Sequence, residues 1–378
     1  MIKIKEINMF TTGDSSDLKV FSNVPYFFAE GLLAKDIKVN RINIAHSSFI
    51  DFLYRHTFLR ILKACKKGTS YTYFRSKIYD RTVARKIKKA ERRFPDADIN
   101  LFMTFSFSSY KVSKKPVVLF GDWTYDHYIT HFKGREPDYF EKKVLLRENS
   151  CIENSNMIFV LFPGVYQKMK SVYNNENIYY LGNVINSLEL PVGININKNK
   201  ENKRLLFVGK PDYKEGALQL IECFSRLRKA YPELKLDIIG MSESNFNSLP
   251  SGVLCHGYLD KGKSKDKELF YKLLKEATVF INTTPKWGAF SATLEAMYFY
   301  TPVIVTHYKE FVETFGENID FGVYYTHNEN IDLYNIVEQV LESPNYELMA
   351  LNAYDKVKDF TWDNYITKFL STIEDNLK

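Results

Sequence analysis

The sequence has few cysteines: there are four in 378 residues, and Cys65, Cys151, Cys223 and Cys255 lie far apart with no CxxC pair. That excludes a zinc or disulfide framework and fits a reducing compartment with buried thiols. Long hydrophobic runs are missing as well, since nothing approaches the roughly 18 apolar residues of a membrane span. The N-terminal MIKIKEINMF alternates as a strand does and contains no apolar signal core. A cytoplasmic protein without a transmembrane anchor is expected. Composition is not extreme either, with 26% charged and 45% hydrophobic residues, so a disordered or fibrous chain is excluded. There is no low-complexity segment, and the internal similarity is confined to two series of strand and helix patterns.

What is present is a chain too long for a single core of about 250 to 300 residues, so two domains are expected. Strands recur at 2–9, 38–44, 99–104, 117–120, 157–161 and 178–181, the later ones apolar rather than alternating, divided by helical patterns. Such strands belong to a parallel sheet covered on both faces, an α/β architecture. Residues 187–203 then turn polar, with several Asn and Lys, and are read as a linker. A second series follows, with strands at 205–208, 236–239, 253–256, 277–281, 303–305 and 323–325, and helical patterns close the chain. The expected domains are therefore 1–186 and 204–360, with a terminal amphipathic helix over 361–378.

Positive charge is uneven. The net charge is +7, and residues 60–93 carry Lys and Arg throughout against only Asp80 and Glu91, with aromatics between them. Three readings are open: a solvated basic face, a contact with an anionic membrane surface, and nucleic-acid binding. The last lacks any accompanying nucleic-acid motif, and no nucleic acid is expected as a partner.

The stretch 280–306, FINTTPKWGAFSATLEAMYFYTPVIVT, reads as strand, loop, helix and strand, with Glu295 the one charge in the helix. Ligands of doubly wound sheets sit at the carboxyl ends of strands, here in a cleft between two such halves. The second half offers Gly209, Lys210 and Lys214 from one loop, Gly240 from the next, and 284–290 with Glu295 from a third. Lysines beside a helix N-terminus neutralise a diphosphate, and an acceptor-only carboxylate suits the vicinal hydroxyls of a ribose. Together they describe a nucleotide diphosphate. The competing readings are exposed surface lysines and a Glu295 that faces solvent, the latter weakened by its apolar neighbours. Gly13, between the first strand and helix, is either a plain tight turn or an anion approach.

Four segments, FVGKPDYKEG (207–216), LDIIG (236–240), HGY (256–258) and WGAFSATLEAM (287–297) followed by TPVI (301–304), resemble the C-terminal half of GT-B-fold retaining glycosyltransferases of family four, the glycosyl transferases group 1. The resemblance covers about 204–325 in good order, and the first half follows in pattern alone. It implies two Rossmann-like domains facing a cleft, with the terminal helix packing back on the first. It also implies donor diphosphate contacts from Gly209, Lys210 and Lys214, with Gly13 approaching the phosphate from the first domain. Gly240, Tyr258, Trp287, Gly288, Ala289 and Phe290 line the donor site, and Glu295 binds the ribose. Asp122 and His127 fall where the family places groups facing the acceptor and the anomeric centre.

Three departures stand out. Lysine replaces the commoner arginine at 210, Glu215-Gly216 stands where the family has Lys-Gly so that Lys214 takes the second role by a one-residue shift, and Trp287 occupies the position of the first of two glutamates eight residues apart. A tryptophan stacks on a sugar face but accepts no hydroxyl hydrogen bond. The function implied is transfer of a hexosyl or related group, with retention, from a nucleotide sugar to a glycan or lipid-linked oligosaccharide acceptor in bacterial surface polysaccharide synthesis. No cofactor or metal is required by these residues. An epimerase or inverting transferase on the same fold, or a non-catalytic partner subunit, remain the alternatives.

Overall fold

The computed structural model describes residues 3–284, 290–326 and 332–377. The chain divides into two compact units, Met1–Asn183 with Trp362–Lys378, and Val184–Thr361.

The first unit contains β1 (Glu6–Thr11), α1 (Val24–Leu33), β2 (Lys38–Asn43), α2 (Ser48–His56), α3 (Phe58–Cys65), α4 (Lys77–Arg93), β3 (Ile99–Phe102), β4 (Val117–Gly121), the short α5 (Tyr125–His127), α6 (Tyr139–Glu153), β5 (Met157–Val160), α7 (Pro163–Val172) and β6 (Ile178–Tyr180). The strands form one six-stranded sheet in the order β2-β1-β3-β4-β5-β6. Every pairing is parallel. Strands β3, β4 and β5 are buried along their whole length, because helices cover both faces and leave no solvent side to alternate with.

Three buried asparagines lie in register across this sheet, Asn8 opposite Asn40 and Asn8 opposite Asn100. Asn40 Nδ2 donates to Asn8 Oδ1 at 2.9 Å, and Asn8 Nδ2 donates to Asn100 Oδ1 at 3.1 Å. A slip of one residue would leave these amides unpaired in the core, so the ladder fixes the register.

The second unit contains α8 (Ile196–Asn202), β7 (Arg204–Val208), α9 (Lys214–Ala230), β8 (Lys235–Ile239), β9 (Val253–Gly257), α10 (Ser264–Glu276), β10 (Val279–Asn282), α11 (Ser291–Tyr298), β11 (Val303–Thr306), α12 (Lys309–Phe315), β12 (Gly322–Tyr325), α13 (Leu333–Leu341) and α14 (Tyr346–Val357). Its six-stranded sheet runs β12-β11-β10-β7-β8-β9 and is parallel throughout. Phe207, Phe224, Ile238, Ile281 and Val337 are at the centre of its core.

The polar stretch 187–203, expected as a linker, folds with this unit. Asn195 caps α8 by accepting from the Lys198 N–H at 3.0 Å, and the Thr278 hydroxyl donates to the Asn199 carbonyl. Polar composition disguised a short surface helix as a connection.

The last helix, α15 (Trp362–Asn376), belongs to the first unit. It lies on α1, where Phe28 meets Phe369 edge-on at 4.9 Å and Trp362 at 5.7 Å. A Cβ on Gly31 would come within 2.8 Å of Ile366, so the small residue permits the close approach. Among the described residues no helix is long and apolar enough to cross a membrane.

Candidate functional site

In the second unit the strand order reverses between β7 and β10, the switch point at whose carboxyl end ligands of open α/β sheets bind. Three glycines are fixed there by contact. Gly240 has φ +97, and a Cβ on it would lie 2.5 Å from the Gly209 carbonyl oxygen. A Cβ on Gly209 would meet the Phe207 ring at 2.7 Å, and one on Gly216 would meet Thr284 N and Oγ1, both at 2.7 Å. Only glycine lets the loop after β8 meet the end of β7, and the first turn of α9 meet the end of β10, this closely.

The 17-residue α9 begins at Lys214 beside this junction, so its unpaired N–H groups and positive dipole end face the same place. Lys210 is exposed on the preceding loop, and Lys214 is half-buried with its ammonium 6.0 Å from the Phe246 ring. Thr284 is buried, its N–H donates to Asn282 Oδ1 at 3.0 Å, and its Oγ1 has no partner among the described residues. A buried hydroxyl, helix N–H groups and two lysines make a place suited to phosphate oxygens.

Glu295 points into the interior from α11, and its partner is one the sequence did not reveal. Lys261 Nζ donates to both carboxylate oxygens, at 2.6 and 2.7 Å, and to the Asn186 carbonyl at 3.1 Å. The Tyr271 hydroxyl donates to Oε1 at 3.1 Å and accepts from the Leu188 N–H at 2.7 Å. Lys261 also lies over the Phe270 ring, 4.2 Å from its centre. Burial pushes the Glu295 carboxyl above its ordinary value and the Lys261 ammonium below its own, each opposed by the charge of the other. Oε1 accepts two bonds and Oε2 one, so Oε2 keeps acceptor capacity.

The other expected positions divide. The Phe290 ring is buried and packs edge-on against Phe311 at 5.3 Å, so it serves the core. Tyr258 is 54% exposed and follows Gly257, whose φ is +65. Trp287, Gly288 and Ala289 lie outside the described residues.

In the first unit the strand order reverses between β1 and β3, and Gly13 follows β1. A Cβ on Gly13 would meet Val20 at 2.7 Å, so tight packing accounts for the glycine. At the end of β4, the Asp122 carboxylate accepts from the Trp123 N–H at 2.8 Å, and burial pushes its pKa up to about 6. His127 is stacked on Trp123 at 4.6 Å, and the opposite neighbour of Trp123, also at 4.6 Å, is Phe162. His131 extends the stack, 4.9 Å from His127. The sequence pointed to Asp122 and His127 but not to this column of rings, because Phe162 comes from the end of another strand.

Comparison with known proteins bears on family and fold. Residues 194–356 match the family described as Glycosyl transferases group 1. No curated protein sequence matches the chain. Among solved structures, a glycosyltransferase from Rickettsia africae ESF-5 is similar over 100% of both chains, with a TM-score of 0.68 and 15% identity. Anabaena Alr3699/HepE in complex with UDP and glucose is similar over 98% of this chain and 100% of its own, with a TM-score of 0.65 and 12% identity. TarM is similar over 77% of this chain, which spans 58% of the length of TarM, with a TM-score of 0.55 and 17% identity. At these identities the likeness is one of fold. The chain is therefore similar over residues 194–356 to the glycosyl transferases group 1, and its two parallel six-stranded sheets have the fold of solved GT-B glycosyltransferases.

Proposed function

We propose that this protein is a retaining glycosyltransferase that moves a hexosyl or related group from a nucleotide diphosphate sugar to a hydroxyl of a glycan or lipid-linked acceptor. The observation that carries this reading is the junction of Gly209, Gly216 and Gly240 beside the start of α9 with the Thr284 hydroxyl, which has no partner among the described residues, inside the segment that matches the glycosyl transferases.

The donor diphosphate lies at the α9 N-terminus, with Lys210 and Lys214 beside it. As the bond between the anomeric carbon and the β-phosphate oxygen breaks, negative charge grows on the leaving diphosphate. Fixed N–H groups and ammonium groups stabilise that charge more than they stabilise the bound donor. The acceptor oxygen attacks from the face that the diphosphate leaves and passes its proton to a departing phosphate oxygen, which gives retention without a protein nucleophile. No metal enters this scheme.

Glu295 takes a modified role. Its Oε2 accepts a ribose hydroxyl, while Lys261 orients the carboxylate and opposes the effect of burial on it. Asp122 and His127 contact the acceptor in the first unit. Synthesis of a bacterial surface glycan at a cytoplasmic membrane face is the setting that suits such an acceptor.

Calorimetric titration with UDP, GDP and ADP tests the reading. One of them is expected to bind, and the matching nucleotide sugar to transfer with retention by NMR of the product. A folded protein that binds none of the three would favour the non-catalytic alternative.

A further inference from the structure

Helix α2 has its polarity reversed. Asp51 is buried and pairs with Arg55 at 2.7 Å, while Phe49 and Phe52 are 68% and 55% exposed and Leu53 is exposed beside them. Helix α3 adds to the same surface chemistry. Leu59 and Leu62 turn inward to Tyr71, Tyr125, Ile129 and Val144, and Ile61 is left 68% exposed. Exposed Arg55, Arg60, Lys63, Lys66 and Lys67 accompany these apolar groups, and Asp51 is the one acid between residues 44 and 79.

Helix α4, which carries most of the basic run recognised in the sequence, behaves in the ordinary way. Tyr79, Val83, Ile87 and Ala90 are buried, and its cations cover the outer side. The basic segment 60–93 thus divides into a solvated flank and, together with the residues just before it, an outward-facing apolar surface. Exposed apolar side chains of that kind on two adjoining helices of a folded protein mark a contact surface.

Charge chooses the occupant. A second copy of the chain docked face to face would set cations against cations, at a cost. An anionic bilayer complements both parts, because its phosphates attract Lys and Arg while Phe and Ile enter the boundary between headgroups and acyl chains. We propose that α2 and α3 form a membrane-docking face that seats Phe49, Phe52 and Ile61 in the headgroup boundary of an anionic lipid bilayer. This deepens the membrane setting of the proposed function, but it rests on surface chemistry and not on sugar transfer.

Co-sedimentation of the full chain with vesicles tests it, using phosphatidylcholine alone and phosphatidylcholine mixed equally with phosphatidylglycerol. The protein is expected to bind the anionic vesicles at least tenfold more tightly than the neutral ones. The variant F49S/F52S/I61S weakens anionic binding about tenfold or more, and R60E/K63E/K66E/K67E removes the preference for anionic lipid, at about fivefold per cation. All seven side chains are exposed, so both variants keep the wild-type Tm and the same nucleotide-induced thermal shift. That shift reports on the transferase reading separately. Equal binding to both vesicles, no binding, or a solution dimer that F49S/F52S/I61S dissociates would overturn the proposal.

Discussion

Lys261 Nζ donates hydrogen bonds to both carboxylate oxygens of Glu295, at 2.6 and 2.7 Å, in the interior of the second unit. With the Asn186 carbonyl as third acceptor, all three ammonium hydrogens are used. Removing either partner strands a buried charge. We expect K261M to destabilise the protein by about 3–5 kcal/mol in chemical denaturation, because Glu295 is then uncompensated. The double variant K261M/E295L should lose much less than the sum of the single variants. Additive losses in that cycle would mean that the two residues do not act as a pair.

Gly240 predicts a different failure. At φ +97 with the Gly209 carbonyl 2.5 Å from any added Cβ, alanine forces apart the loops after β7 and β8. G240A should lower stability by about 2 kcal/mol or more and weaken nucleotide binding along with it. The outcome against this is a G240A protein with unchanged Tm and nucleotide affinity.

Lys214 separates binding from folding. Its side chain is half-buried at the start of α9, and its contact with the core is a loose one, the ammonium 6.0 Å from the Phe246 ring. K214A should leave stability within about 0.5 kcal/mol of wild type. It should weaken nucleotide diphosphate binding about tenfold or more, the worth of one charge-assisted hydrogen bond, with a smaller loss for the nucleoside. An equal loss for nucleoside and diphosphate in calorimetry would place Lys214 away from the phosphates.

Asp122 gives a pH signature. Burial raises its pKa from 3.8 to about 6, so the folded state prefers the protonated carboxyl. A raised folded-state pKa contributes stability that is present below the unfolded value and lost as pH rises through the folded one. The stability of D122N relative to wild type should therefore grow between pH 4 and about 6 and level off above. The amplitude is about 1–2 kcal/mol after allowance for the residue's partial exposure. Asparagine keeps an acceptor for the Trp123 N–H, so the comparison isolates the charge. A difference that is flat with pH would show that Asp122 is freely solvated.

Much of this protein is local in sequence. Apolar strands such as 117–120 and 277–281 announce a covered parallel sheet because both their faces are apolar, and Gly209, Gly216 and Gly240 mark the places where backbone must meet backbone. The charge of residues 60–93 was equally plain, but which cations lie beside an outward apolar face was not, since that depends on Leu59 and Leu62 turning inward while Phe49 and Ile61 do not.

The sequence by itself determined two α/β units, the loops at one sheet's switch point and the oddity of a lone carboxylate in an apolar helix. Only the tertiary structure decided what that carboxylate meets. Glu295, Lys261, Tyr271 and Asn186 come from separate elements and loops, and no periodicity links residues that only the packing of α10 and α11 brings together. The placement of α15 on α1 is of the same kind, since an amphipathic pattern shows that a face must be covered and only packing shows by what.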